Sequence, residues 1–255
     1  MSANLSQKLA IITGASAGIG QATAEVLASL GAAVVLQARR KDKLDDVVNA
    51  IKATGGIALA VPGDASQEAD IEHLIESAME FGASLHQARR LDIVVVNAGR
   101  GLAGGLLTSD ASQWQGMYDV NVMGAAHLMR RAGQKMVEQQ SGDIVVLGSV
   151  AGDNISPFSG FYGSSKFAIA GMAEAFRREV CAKNVRVTTI KPGIVISEFQ
   201  GVAGYTQENF YKNAERFGKT LDPADVARTI AFVVTQPPHV HLNDIMMRPT
   251  KQDYP

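Results

Sequence analysis

"KLAIITGASAGIG", residues 8–20, decides the fold. Leu9 to Ile12 are apolar without alternation, the pattern of a strand buried on both faces. The run leads directly into Gly14, Gly18 and Gly20, placed where a strand turns into a helix. Glycine adopts φ > 0 freely and lets a ligand approach the backbone. The helix that follows, 18–30, aims its free N–H groups and positive dipole end at the turn. Ser16, Ala17 and Ile19 complete this candidate anion cradle with the three glycines. The spacing G-x-x-x-G-x-G is one residue longer than the common dinucleotide fingerprint.

The rhythm continues outward from this unit. Short β-branched runs at 33–38, 56–61, 91–96, 142–148 and 185–190 alternate with helical stretches at 41–54, 67–80 or beyond, 112–140 and 161–183. Such alternation predicts right-handed crossovers and a parallel sheet covered by helices on both faces, an α/β fold. Asp222 followed by Pro223 predicts an N-cap and first turn for a last helix, and 241–249 a short final strand. No linker or repeat interrupts the pattern, so residues 1–255 are expected to form one domain. The segment of about 197–217, long and mixed in glycines, aromatics and charges, is expected to be a lid over a site. Residues 80–90 are expected to extend a helix or loop before the fourth strand.

Composition narrows the function classes. The chain has 255 residues, 46% hydrophobic and 19% charged, with a net charge of −1. That balance argues against a nucleic-acid partner. No apolar run approaches the roughly 18 residues needed to span a bilayer, and the first residues make poor material for a signal peptide. A single cysteine, Cys181, fits a reducing compartment, so a cytoplasmic location is expected; its position reads as a small core residue rather than a nucleophile. The five histidines form no metal-ligand spacing except His239-Val-His241, placed at the start of the last strand, so no metal is expected.

The second strand exits through "LQARRKDKL". A carboxylate there would accept hydrogen bonds from an unmodified ribose 2′-hydroxyl. The chain instead has Ala38, then Arg39 and Arg40, and a guanidinium grips a 2′-phosphate through charge-assisted bonds. NADP(H) is therefore expected over NAD(H); the competing reading is a solvated basic helix start.

At this point the chain resembles the short-chain dehydrogenase/reductase family over nearly its whole length. The motifs are "TGASAGIG" (13–20), "GDAS" (63–66), "VNAG" (96–99), Asn121 within "DVNVMG", "LGSVAG" (147–152), "YGSSK" (162–166) and "KPGIVIS" (191–197). Their order is the family's, and the gaps are 28 residues from Asn121 to Ser149, 13 on to Tyr162 and 4 on to Lys166. The resemblance implies a Rossmann-type domain with a seven-stranded parallel sheet in the order 3-2-1-4-5-6-7, and hydride transfer between a nicotinamide and a carbonyl or alcohol. It implies that Asp64 and Ala65 flank the adenine, that Asn97 steadies the fourth strand, and that Ala98 and Gly99 border the cofactor. Pro192, Gly193 and Ile194 would wall the nicotinamide, and Ser197 would bond its carboxamide. Val96 and Ser197 depart from the family's usual Asn and Thr. The double arginine and the ending "HVHLNDIMMRPTKQDYP" are similar to the NADP-dependent serine/3-hydroxy acid dehydrogenases and clavulanate dehydrogenase-like reductases.

The chemistry follows from the groups. Carbonyl reduction needs a hydride to carbon and a proton to oxygen. A phenol titrates near pH 10, so Tyr162 needs a nearby cation to favour phenolate, and Lys166 lies one helical turn away. Both can also touch the cofactor. Ser149 can polarise the carbonyl, and the resemblance gives Asn121 a water beside Lys166. Taken singly, Ser149 can be a strand end, Asn121 a surface polar group and Tyr162–Lys166 a surface pair. Gly160 and Gly163 read as thinning the helix start around the phenol. Substrate contacts are expected from Ser149, Asn154, Ile155, Phe158 and Tyr162, with Asp153, Phe161 and the lid nearby, and Lys212 or Arg216 able to meet a carboxylate. The expected partner is a small carbonyl or alcohol: an aldehyde, a ketone or a 3-hydroxy acid. A non-catalytic NADP(H)-binding regulator on the same fold is the alternative. Trp114 and the methionines of 117–136 read as packing groups. Met117, Leu128, Met136, Met172 and Phe176 exceed what one sheet face needs, so a homo-oligomer, dimer or tetramer, is expected through 112–140 and 161–183.

Overall fold

The computed structural model describes residues 4–86, 90–154, 156–205 and 214–254. Seven parallel strands form one sheet in the order β3-β2-β1-β4-β5-β6-β7. They are β1 (Leu9–Thr13), β2 (Ala33–Gln37), β3 (Ile57–Ala60), β4 (Ile93–Val96), β5 (Gly142–Leu147), β6 (Val185–Pro192) and β7 (Asp244–Met247). Among the described residues the helices include α1 (Gly18–Ser29), α2 (Lys41–Ala53), α3 (Glu68–His86), α4 (Trp114–Tyr118), α5 (Ala125–Gln139), α6 (Gly160–Val180), α7 (Phe199–Val202) and α8 (Pro223–Val234).

Successive residues of a strand face opposite sides, and β1 shows it. Ala10 and Ile12 join a core with residues of α1, α2 and α8. Leu9 and Ile11 join a second core with residues of α3, α5 and α6. The central strand is thus fully buried, which is why its sequence lacks alternation. Ile11→Ala would open a cavity costing about 2–5 kcal/mol. No helix among the described residues is long and apolar enough to cross a membrane.

The chain order reverses between β1 and β4, and open α/β sheets place ligands at that switch, beyond the carboxyl ends of the strands. Side chains pin the two strands there. Thr13 Oγ1 accepts from the backbone N–H of Asn97 and Ala98, at 3.1 Å each. Asn97 Nδ2 donates back to the Thr13 carbonyl at 2.8 Å.

Several expectations need correction. The predicted helix over 112–140 is not continuous: a 3-10 turn (Ala111–Gln113) precedes α4, and a π-helical turn, Asp119–Gly124, separates α4 from α5. A Cβ on Gly124 would lie 1.9 Å from the Ala65 carbonyl, so the backbone runs hard against the loop after β3. π-turns recur at functional sites, and this one carries Asn121. Cys181 is exposed, on a 3-10 turn that follows α6, rather than in the core. Of the apolar side chains expected at an oligomer face, Met117, Leu128 and Met136 are buried inside the chain, whereas Met172 and Phe176 are only partly buried against the second core. His241 precedes β7 rather than opening it, and accepts from the Val187 N–H at 3.0 Å. At α8 the Asp225 carboxylate accepts from the Asp222 N–H at 2.8 Å, completing a capping box with Pro223 in the first turn.

Candidate active site

The glycine-rich turn has the build of an anion cradle. Gly14 (φ +66°) and Gly18 (φ +58°) occupy the left-handed region, where a side chain is strained. Ala17, the N-cap of α1, has no side chain able to cap, and the first turn holds no acidic residue. The N–H groups of the Ser16–Gly20 stretch are therefore available to an external anion, and the α1 dipole favours one. Asn97 Nδ2 also reaches the Gly14 carbonyl at 3.3 Å, so its role extends beyond β4 to holding the turn. The donor set and the shape fit a dinucleotide phosphate.

Charged groups line the rim at the end of β2. Arg39 Nη1 lies 4.0 Å from Asp64 Oδ2, and Asp64 is fixed by the Ser66 hydroxyl and N–H at 2.9 Å each. Arg40 Nη2 reaches Ser16 Oγ at 3.2 Å and Glu198 Oε2 at 2.8 Å. Lys43 Nζ meets the other Glu198 oxygen at 2.7 Å. Glu198 escaped the sequence reading, because nothing local ties it to residues some 155 positions earlier. Opposite the rim, Gly193 N–H donates to Met247 O at 2.7 Å and Ile194 N–H to Gln252 Oε1 at 2.9 Å, which sets the wall that begins at Pro192. Ser197 abuts Gly18: a Cβ there would lie 3.3 Å from Ser197 Cβ.

The four candidate catalytic residues converge beyond β4 and β5. Asn121 is buried on the π-turn. Its amide donates to the Arg100 carbonyl (2.9 Å) and Ser165 Oγ (3.0 Å), and its Oδ1 accepts from the Arg100 N–H (2.8 Å). Ser165 Oγ in turn donates to the Tyr162 carbonyl at 2.7 Å. Ser165 and Thr13 are thus positioning residues that the motif reading passed over. A Cβ on Gly99 would lie 3.0 Å from Asn121 Oδ1 and 3.8 Å from Lys166 Nζ, so both side chains approach one bare backbone position. Lys166 is buried and donates to the Leu147 carbonyl at 2.8 Å. Ser149 follows β5 and accepts from the Ala151 N–H at 3.1 Å.

The electrostatics differ from the sequence-based expectation. Burial pushes the Tyr162 phenol up to about 12; a hydrogen bond with Ser149 works the other way, and the nearby Tyr205 adds to the rise. Burial also drives Lys166 down to about 8. Lys166 Nζ sits 5.9 Å from the Tyr162 ring centroid and is turned toward Leu147, so desolvation outweighs any pull of the cation on the phenol. The expected lowering of the phenol's pKa is not met in the protein alone.

Around the phenol, the Phe199 ring stands 5.7 Å from the Tyr162 ring, edge to face. Ala103 N–H donates to the Ala203 carbonyl at 2.8 Å, docking α7 onto the loop after β4. Asn154 is half-buried with its amide on the Val150 carbonyl (3.2 Å), whereas Phe158 is 75% exposed. Ile155 and Lys212 lie outside the described residues. Three other expected contacts are engaged elsewhere. Phe161 stacks on Trp114 with centroids 4.4 Å apart, Asp153 pairs with Lys191 at 3.0 Å, and Arg216 pairs with Asp253 at 3.2 Å. Gly163 faces the Ala151 carbonyl, 3.0 Å from where its Cβ would be, so it seats α6 on the turn after β5 rather than clearing space around the phenol. A separate open groove of about 590 Å³, edged by Lys219, Arg228, Phe232 and Arg248, includes none of the four candidates.

Residues 8–207 match the family described as short chain dehydrogenase. An uncharacterised oxidoreductase of Staphylococcus aureus (strain MW2) is 33% identical over 246 residues, covering 96% of this chain and 98% of that one. Among solved structures, a serine dehydrogenase complexed with NADP+ is similar at 28% identity and a TM-score of 0.86, with 96% of each chain covered. A short chain dehydrogenase/reductase from Burkholderia phymatum in complex with NAD is similar at 28% identity and a TM-score of 0.84, covering 95% of this chain and 89% of that one. Sheet order, the turn after β1 and the match over both halves of the site lead to one conclusion: the chain is an oxidoreductase that belongs to the short chain dehydrogenase family.

Proposed function

We propose that the protein is an NADP(H)-dependent oxidoreductase that reduces, or reforms by the reverse reaction, a small carbonyl compound: an aldehyde, a ketone or a 3-oxo acid. The observation that carries this reading is the meeting of Ser149, Tyr162 and Lys166 at the same sheet end as an uncapped helix N-terminus. The serine dehydrogenase with NADP+ supports the coenzyme, and the NAD-bound neighbour makes the arginines the deciding feature.

Bound NADP(H) would supply the hydride. The cradle from Gly14 to Gly20 would hold its diphosphate, Arg39 and Arg40 its 2′-phosphate, and Asp64 and Ala65 its adenine. Ala98, Gly99 and the Pro192–Ile194 wall with Ser197 would border the nicotinamide end, with Tyr162 and Lys166 at its ribose. The chain's own residues handle the proton. The Ser149 hydroxyl and the Tyr162 phenol converge on the substrate oxygen. A phenol held near 12 stays protonated across the neutral range, and an alkoxide is a far stronger base, so Tyr162 is poised to donate. Lys166, which approaches Gly99 as Asn121 does, would stabilise the phenolate that results until a proton from bulk solvent, relayed by a water at Asn121, restores the phenol. Within a single domain, residues 197–205 would begin a lid over the phenol, which the Phe199–Tyr162 contact supports; residues 206–213 of the expected 197–217 lid lie outside the described residues. Assembly into a homo-oligomer would use Met123 and Phe167, the exposed apolar side chains on the π-turn and α6.

The test is a panel of aldehydes, ketones and 3-oxo acids, followed by coenzyme absorbance with NADPH and with NADH. Turnover with at least one class is expected, with NADPH favoured. Replacing both Arg39 and Arg40 by Gln is expected to remove most of that preference. An unchanged preference would overturn the coenzyme assignment, and no turnover across the panel would overturn the reductase.

A further inference from the structure

We propose that Glu198 is a coenzyme-specificity residue: it occupies, in place of a 2′-phosphate, the cations that would grip that phosphate. The proposal rests on the NADP(H) reading above. One Glu198 oxygen meets Arg40 Nη2 at 2.8 Å and the other meets Lys43 Nζ at 2.7 Å. Arg40 also touches Ser16 of the glycine-rich turn at 3.2 Å. Glu198 immediately precedes α7 and follows Ser197, which abuts Gly18. The Arg40–Glu198 pair therefore reaches across the turn, from the β2 side of the groove to the β6 side.

A carboxylate presenting one oxygen to each of two cations uses the same charge-assisted bonds that a phosphate would use. Arg40 and Lys43 cannot serve both without bringing two anions together, and like charges at contact repel. The side chains are 46% (Arg40), 43% (Lys43) and 49% (Glu198) exposed, so the clasp is weak and exchangeable rather than structural. Hydrogen bonds from Lys43 and then Arg40 hold Glu198 below the usual carboxylate range, which keeps it ionised at neutral pH. Arg39 is freer, 75% exposed and 4.0 Å from its acid, and is left to meet the phosphate first. A 2′-phosphorylated coenzyme must then displace Glu198 from Arg40 and Lys43, whereas an unphosphorylated one leaves the clasp closed. The chain binds NADP(H) less tightly than its cations alone would allow, and the start of the lid responds to which coenzyme is present.

Calorimetry on the full chain with 2′-phospho-ADP-ribose and with ADP-ribose tests this without catalysis. Glu198→Gln is expected to tighten 2′-phospho-ADP-ribose by about three- to tenfold, to leave ADP-ribose unchanged, and to lose the gain at high salt. Arg40→Gln is expected to weaken the phosphorylated ligand and to abolish the gain in the double variant. If Arg40→Gln weakens it while Glu198→Gln does not tighten it, the coenzyme reading stands and the Glu198 proposal falls. If Glu198→Gln weakens ADP-ribose, the carboxylate is an acceptor for ribose hydroxyls and the proposal is overturned. If wild type and Arg40→Gln bind both ligands alike, the coenzyme reading fails and takes the proposal with it.

Discussion

The two ends of the coenzyme groove are built on opposite principles. At the interior end, Asn121, Ser165 and Lys166 are buried and each polar atom has a fixed, short-range partner: Arg100 backbone, Tyr162 carbonyl, Leu147 carbonyl. At the rim, Arg39, Arg40, Lys43 and Glu198 stand 43–75% exposed and pair through long, flexible side chains. Burial makes partners obligatory, because an orphaned group cannot turn to water. Exposure makes partners interchangeable, because water and salt compete for them. The difference teaches where each task belongs. On the proposed function, proton transfer falls to the end where positions are held to a fraction of an ångström, and coenzyme choice to the end whose groups can be traded. Replacements at the interior end should therefore act on rate and stability, and replacements at the rim on affinity and salt dependence.

Three replacements probe that contrast, beginning with the largest effect. Tyr162→Phe removes only the acid hydroxyl and is expected to lower turnover by about 10³-fold or more. Comparable turnover on the best substrate would break the interior half of the comparison.

Lys166→Met tests whether the interior end is costly to the fold. The folded-state pKa of Lys166, about 8, lies below its ordinary 10.5. Below pH 8 the folded protein must carry a buried cation, so the penalty is present in full. As pH rises from about 8 to about 10.5 the unfolded chain holds the extra proton, and the wild type gains stability. Removing the cation recovers most of the penalty and forfeits the bond to Leu147. The net expectation is a variant more stable than wild type by roughly 1–2 kcal/mol at pH 7, yet nearly inactive. Urea unfolding at pH 7 and pH 10 reads the narrowing gap, and a variant equally destabilised at both pH values would contradict the account.

Lys43→Gln is the smallest. The pair with Glu198 is exposed, so stability should move by less than about 0.5 kcal/mol. A change above about 2 kcal/mol by thermal unfolding would erase the distinction between rim and interior.

Much of the interior end was legible along the chain. Gly14, Gly18 and Gly20 announce a turn because only glycine meets its backbone demands, and Tyr162 with Lys166 are neighbours through helix geometry alone. The strands were legible because burial on both faces leaves long apolar runs. The π-turn at Asp119–Gly124 was not, nor was the close approach of the Ala65 carbonyl to Gly124 from another part of the fold. The fate of Met117, Leu128 and Met136 was equally hidden: a helix stripe shows that apolar groups exist, not which surface covers them. The rise of the phenol's pKa in the protein alone was hidden for a related reason. Sequence places a cation one turn away, but only packing decides that Lys166 turns to Leu147 and that both groups lose solvent.

By itself the sequence determined the alternation of buried strands and helices and the glycine-rich turn after β1, because each depends on short-range backbone rules; the strand order and the candidate acid followed from the family resemblance. The tertiary structure alone decided which charges face one another across the groove. Electrostatics act through space, and no local rule brings Glu198 to Arg40 and Lys43.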